Sequence, residues 1–313
     1  MRSYGRRTFL KYSAVFTSAT IASGLTLPSA NAGTARVSEQ EPQTRRGADH
    51  PFFNGFKNRP EVIAHQGGNG QWPAETIFAF ERAMKLGADV LEFDVHSTRD
   101  DHLVLMHNAT VDDTTNGTGR IHRLSLSELK KLDAGYRWTA NSGRTFPFRG
   151  KNIRVATLEE VLEKFPDTRM NLEIKQSDPS IVAPVCAMIE KHNMFDKVLV
   201  ASFSNRDLEQ FRARCPGVAT SASPQELLKF QLGNDPFTSP TSRPDCLQIK
   251  DRIKAIRIIT RDSVTRAHRL NLPIHAWTVN DIDGMKRMIA FEVDGILTDY
   301  PGPLLALLER GPR

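Results

Sequence analysis

Two short apolar runs carry charged residues where a buried strand would be apolar throughout. In Leu91-Glu92-Phe93-Asp94-Val95 two acids stand two apart, and in Leu172-Glu173-Ile174-Lys175 an acid and a base do the same. On an extended strand, residues two apart share a face. Leu91, Phe93, Val95, Leu172 and Ile174 then face one side, and Glu92, Asp94, Glu173 and Lys175 the other. Parallel strands are buried on both faces, so three inward carboxylates need compensation. Two arrangements provide it. One is a single divalent cation, and an all-oxygen donor set favours Mg2+ or Ca2+ over zinc. The other is an ion-pair network in which Lys175 and arginines neutralise the acids. Two histidines end similar runs: His65 follows Val62-Ile63-Ala64, and His107 follows Leu103-Val104-Leu105-Met106. Imidazole titrates near neutrality, so two of them beside such a centre suit proton transfer, one as base and one as acid. Trp277-Thr278-Val279-Asn280 ends another run and offers Trp277 as a wall of the pocket.

These runs belong to a repeating pattern. From Glu61 onward, strands are expected at 62–65, 90–95, 103–107, 170–175, 198–203, 218–222, 246–250, 274–279 and 295–298. Helical stripes alternate with them at 75–86, 157–165, 181–191, 206–214, 263–270 and 282–291. Thr157 with Glu160 three residues on predicts a capping box. Such βα units, without a dinucleotide fingerprint, predict an α/β fold: a variant (β/α)8 TIM barrel with a small insertion after the third strand, at about 108–155. Catalytic groups in such barrels sit at C-terminal strand ends, where His65 and His107 fall. One connector departs from the ideal. Ser97–His102 is too short for a helical crossover, so either its flanking strands form a hairpin or the barrel lacks a helix. Gly68 and Gly70 begin a G-x-G-x-x-G spacing, but Pro73 takes the third glycine's place and no G-K-[ST] follows. The nucleotide-loop readings fail on that spacing.

The first 32 residues read as a removable signal. They hold Arg2, Arg6, Arg7 and Lys11, no acid, a mildly apolar stretch, and then Ala30-Asn31-Ala32. Gly5-Arg6-Arg7-Thr8-Phe9-Leu10-Lys11 resembles a twin-arginine export signal, which implies a periplasmic or secreted protein and the twin-arginine translocase as a partner during export. The apolar part is too short and too interrupted for a stable membrane span. The whole chain has 42 basic and 36 acidic residues. Without the signal the count is 38 against 36, so the mature chain gives no support to nucleic-acid binding. Residues 33–57 are polar and read as a disordered tether, leaving 58–313 as the barrel domain. Cys186, Cys215 and Cys246 form no C-x-x-C pair, and twin-arginine cargo crosses already folded, so buried thiols are expected.

Eight segments occur in one order: His65-Gln66-Gly67, Pro73-Ala74-Glu75-Thr76, Gly87 to Val95, Thr98-Arg99-Asp100, His107-Asn108, Glu173-Ile174-Lys175, Trp277-Thr278-Val279-Asn280 and Asp294 to Asp299. From Glu61 to the C-terminus the chain resembles the glycerophosphodiester phosphodiesterase family, a variant TIM barrel. The resemblance implies metal ligands at Glu92, Asp94 and Glu173, acid–base histidines at His65 and His107, and a phosphate-binding lysine at Lys175. It implies hydrolysis of a glycerophosphodiester to sn-glycerol 3-phosphate and an alcohol. The hydroxyl beside the esterified carbon would attack phosphorus, and the cyclic phosphate formed would open by water attack.

Several positions depart from the family pattern. Gln66 stands where arginine is usual, and an amide cannot replace a guanidinium's charge toward phosphate. Ala74 takes the usual glutamate position, with Glu75 one place later as a candidate supporting residue. Asn108 replaces an aspartate and is a second such candidate, and Asp113 stands where arginine is common. Two alternatives follow: lysophospholipase D-type activity on lysophospholipids, with Tyr136, Trp138, Phe146 and Phe148 lining an acyl groove, or a non-catalytic phosphodiester-binding protein.

Overall fold

The computed structural model describes residues 47–54, 60–233 and 243–311. Strands in that range are β1 (Glu61–Ala64), β2 (Val90–Ser97), β3 (Leu103–Leu105), β4 (Arg169–Ile174), β5 (Val198–Ser202), β6 (Ala219–Thr220), β7 (Leu247–Lys250), β8 (Arg252–Ile253), β9 (Ile256–Arg257), β10 (Ile274–Trp277) and β11 (Gly295–Thr298). Eight run parallel in the order β6-β5-β4-β2-β1-β11-β10-β7. The ends of that order meet through a parallel bridge between Ser221 and Cys246, and Ala222 N–H donates to the Cys246 carbonyl at 2.8 Å. The sheet therefore curls closed on itself, which removes its exposed edges.

The helices are α1 (Ile77–Leu86), α2 (Leu126–Leu129), α3 (Leu158–Lys164), α4 (Val182–Lys191), α5 (Asn205–Arg214), α6 (Pro224–Gln231), α7 (Arg261–Arg269), α8 (Ile282–Ala290) and α9 (Pro301–Leu307). Their starts follow local chemistry. The Thr157 hydroxyl accepts from Glu160 N–H and the Glu160 carboxylate accepts from Thr157 N–H, the capping box read from the sequence. Gly87 ends α1 with φ 102°, a left-handed conformation that a Cβ would strain. The connector Ser97–His102 makes a hairpin: β3 pairs antiparallel with β2, Val95 opposite Leu105. The crossover to β4 is left to α3.

Leu91, Phe93, Val95, Leu172 and Ile174 all join the core between barrel and helices, so the acids two apart do face inward. Residues between β3 and α3 fold around a small core of their own, with Val104, Met106, Val111, Ile121, Leu129 and Val155 buried. The bottom of the barrel corrects one expectation. The stretch read as a tether over 33–57 is folded where it is described: Gly47–Asp49 and Pro51–Phe53 form 3-10 turns. Phe52 and Phe53 close the barrel floor against Ile63, Val90, Leu199 and Leu297. Average polarity hid two adjacent aromatic side chains, and burying one is worth about 1.5–3 kcal/mol. A second correction concerns the thiols. Cys186 on α4 and Cys215 after α5 are joined as a disulfide with Cα atoms 5.9 Å apart, and Cys246 alone stays a buried thiol. The pair stands 29 positions apart in sequence, so no spacing motif could reveal it. The export signal read over residues 1–32 lies outside the described residues.

Candidate active site

The C-terminal ends of β1, β2 and β4 bring six of the expected residues together: His65, Gln66, Glu92, Asp94, Glu173 and Lys175. His65 leaves β1 into a 3-10 turn, and Gln66 takes a left-handed conformation at φ 51°. That turn aims Gln66 N–H at Glu92 Oε2, 2.7 Å away, and Gln66 Nε2 donates to Asp94 Oδ2 at 3.1 Å. Gln66 is therefore buried against the acids through both backbone and side chain. His65 Nδ1–H donates to Asp299 Oδ1 at 2.6 Å, which leaves Nε2 turned toward Glu92 Oε2 at 3.9 Å. Asp299 Oδ2 in turn accepts from Asn280 Nδ2 at 2.6 Å. No role for Asp299 was expected from the sequence. Its signal was position: an acid just past β11, on the end of the barrel where functional groups collect.

Glu75 reaches the same cluster by a route the sequence did not suggest. The expected helix over 75–86 begins later, with Thr76 as the cap and Ile77 as the first residue. Glu75 sits before it at φ 56°, its N–H donating to the Gln66 carbonyl at 2.9 Å. A non-glycine residue held left-handed costs about 1 kcal/mol or more. Here the cost places a buried carboxyl whose Oε1 accepts from Asp94 N–H at 2.9 Å.

The electrostatics test whether the acids suit a cation. One oxygen each from Glu92, Asp94 and Glu173 can be chosen with all three within 4.8 Å of one another. Asp94 Oδ1 and Glu173 Oε1 are shielded and accept no well-directed hydrogen bond, although Lys175 Nζ lies 3.1 and 2.7 Å from them. Burial raises Glu92 to about 8 against the pull of His65, and burial with the Asp94 charge raises Glu173 to about 7. Burial and Asp94 push Glu75 well above the carboxylate range. Burial would raise Asp94 too, but Lys175, His107 and His65 hold it low. Burial works against a charged imidazole at His65, yet Glu92, Asp299 and Asp94 outweigh it and lift the group to about 9. Lys175 and a protonated His65 together carry less positive charge than Glu75, Glu92, Asp94 and Glu173 would need to ionise together. A hard divalent cation on Glu92, Asp94 and Glu173 fits the all-oxygen donor set and the charge deficit. Both arrangements weighed from the sequence therefore meet here: Lys175 pairs with Asp94 and Glu173, and one oxygen of each of the three acids lies within 4.8 Å of the others, a spacing that could hold a cation.

His107 stands at the end of the β3 run. Its Nδ1–H donates to Asn108 Oδ1 at 2.9 Å, and Asn108 Nδ2 donates to Asp113 Oδ2 at 2.7 Å. Two family departures thus contact each other: the amide at 108 and the acid at 113 form one chain that orients His107. Trp277 lies on the far rim, its ring edge-on to Phe203 with centroids 5.8 Å apart. The aromatic residues weighed as an acyl groove pack against other side chains, and Trp138 Nε1 donates to the Asn69 carbonyl, in the loop after His65, at 2.9 Å. Phe148 packs against Phe78 and Trp138, and the Arg149 guanidinium lies against Tyr136 and Phe146.

Residues 65–303 match the model of the glycerophosphoryl diester phosphodiesterase family. A glycerophosphodiester phosphodiesterase of Caldanaerobacter subterraneus subsp. tengcongensis is 34% identical over 255 residues, covering 80% of this chain and 98% of that protein. The crystal structure of a glycerophosphodiester phosphodiesterase from Agrobacterium tumefaciens has a TM-score of 0.64 at 24% identity, covering 79% of this chain and 99% of that one. An Oleispira antarctica phosphodiesterase, solved in complex with the product sn-glycerol-3-phosphate, has a TM-score of 0.65 at 24% identity, covering 80% and 97%. These two structures bear on the fold.

Proposed function

Because the chain belongs to the glycerophosphoryl diester phosphodiesterase family, we propose that it is an exported, metal-dependent enzyme that hydrolyses glycerophosphodiesters to sn-glycerol 3-phosphate and an alcohol. The observation that carries this reading is the convergence of His65, His107 and three inward acids on one barrel mouth, both histidines acting on Asp94. Glu92, Asp94 and Glu173 would hold one divalent cation, Mg2+ or Ca2+, which would supply positive charge to stabilise the phosphodiester as it reacts.

The chain's own residues do the rest. Lys175 holds the phosphate as a point charge, already drawn to the mouth by Asp94 and Glu173. Asp299 and Asn108 each occupy a histidine Nδ1, so both imidazoles present Nε2 to the substrate. One Nε2 removes the proton of the substrate hydroxyl beside the ester. The other protonates the departing alcohol as the P–O bond breaks and a cyclic phosphate closes. The histidines then exchange roles as water opens the ring.

Substitution of His107 by alanine separates an enzyme from a binder. Turnover of glycerophosphocholine should fall by about 10²–10⁴-fold while its calorimetric affinity is retained; unchanged turnover in this variant contradicts the acid–base role. Export rests on the Arg6-Arg7 motif and Ala30-Asn31-Ala32. Arg6→Lys combined with Arg7→Lys should leave the chain unprocessed inside the cell, and normal export of that variant contradicts this part.

A further inference from the structure

The barrel mouth is divided by chemistry. β1, β2 and β4 carry His65, the acids and Lys175, whereas β5, β7 and β10 carry Phe203, Lys250 and Trp277 at their ends. Residues two apart on a strand share a face. Gln248 points inward, donating to Asn171 Oδ1 across the barrel at 3.1 Å, and His275 points inward toward the Phe53 ring. Lys250 and Trp277, each two residues further, therefore face the mouth. Phe203 follows Leu199 of the barrel floor by four residues and shares its face.

Phe203 is 60% exposed, and its ring meets Trp277 edge-on at 80°. Lys250 Nζ lies 5.2 Å from the Trp277 ring centroid, and Lys175 Nζ lies 5.7 Å from that of Phe203. The two lysines differ in what neutralises them. Lys175 has Asp94 and Glu173. The acid next to Lys250, Asp251, is engaged by Arg252 and Arg287 instead.

We propose that Phe203, Trp277 and Lys250 form the subsite for the leaving alcohol and select an uncharged polyol, such as glycerol or inositol, over a quaternary ammonium alcohol such as choline. The inference rests on the diesterase reading above. A polyol can lay its C–H face on the aromatic rings and accept hydrogen bonds from the three N–H groups of Lys250. Aromatic rings alone would attract choline. The Lys250 ammonium reverses that preference, because a second cation on the same rings would stand about 6 Å from it.

The test compares glycerophosphoglycerol, glycerophosphoinositol and glycerophosphocholine on the mature chain, on Lys250→Gln and on Lys250→Arg. The wild-type kcat/KM should favour both polyol diesters. Lys250→Gln should raise the choline-to-glycerol ratio by about three- to tenfold, and Lys250→Arg should leave it within twofold of wild type. The same ratio, read as calorimetric Kd values on His107→Ala with and without Lys250→Gln, tests the subsite independently of turnover. An unchanged ratio in Lys250→Gln, or a wild-type preference for the choline diester, overturns the inference. Failure to turn over any of the three diesters overturns the diesterase reading, and the binding ratio still decides the subsite.

Discussion

His65 Nδ1 donates to Asp299 Oδ1 at 2.6 Å, across 234 positions of sequence. The bond fixes the tautomer and orientation of the imidazole proposed to move a proton at Nε2, and the carboxylate favours its charged form. Asp299→Asn keeps the shape and removes the charge. It should lower kcat by about tenfold or more and leave KM nearly unchanged. The limb of the pH–rate profile that belongs to His65 should move to lower pH. A kcat equal to wild type with an unmoved profile contradicts the orienting role.

Gln66 bridges Glu92 and Asp94 and brings no positive charge to the phosphate. With both histidines neutral, three carboxylates, a divalent ion, a diester and Lys175 sum to −1, and an arginine at 66 would bring that sum to zero. Gln66→Arg should therefore lower KM for glycerophosphocholine by severalfold, a change of about 1 kcal/mol. Steady-state kinetics check it, and an unchanged or higher KM contradicts the charge argument.

Much of this site was legible because strand periodicity is strict. Leu91-Glu92-Phe93-Asp94-Val95 can face only one way in a buried parallel strand, and the structure places its apolar residues against the helices. Connector length narrowed Ser97–His102 to a hairpin or a missing helix, and the antiparallel pairing of β2 and β3 decides for the hairpin. What stayed hidden depends on contacts between distant residues. Asp299 meets His65 only once β1 and β11 pair. Cys186 meets Cys215 only when the chain after α5 packs beside α4. Asn108 and Asp113 looked like two separate departures, and only folding makes them one hydrogen-bonded chain. Glu75 was misread for a local reason: helical periodicity extended α1 past the Thr76 cap, whose preceding residue takes a left-handed turn.

Phe52 is wholly buried at the barrel floor, and its carbonyl accepts from Arg169 Nη1 at 3.1 Å. Phe52→Ala should destabilise the mature chain by about 3 kcal/mol. Denaturant unfolding measures this, and a loss below 1 kcal/mol would mean that residues 47–54 behave as the tether their polarity suggested.

His275 is buried with neither ring nitrogen hydrogen-bonded, and burial lowers its pKa to about 4. The unfolded chain binds this proton below about 6.5, and the native state only near 4. Between those values the unfolded state holds more protons, so stability falls as pH falls. The contribution is on the order of 3 kcal/mol. His275→Leu should flatten the stability profile between pH 6.5 and 4, and an unaltered slope in that window contradicts the assignment.

The central claim is that Glu92, Asp94 and Glu173 hold a divalent cation on which diester hydrolysis depends. The direct measurement takes mature chain 33–313 with glycerophosphocholine and lysophosphatidylcholine, in Mg2+, in Ca2+ and in chelator, and identifies the products. Release of sn-glycerol 3-phosphate from glycerophosphocholine in Mg2+ or Ca2+, its loss in chelator and in Glu92→Gln, and little turnover of lysophosphatidylcholine are the predicted result. Equal turnover in chelator, or no turnover of either substrate with any metal, contradicts it.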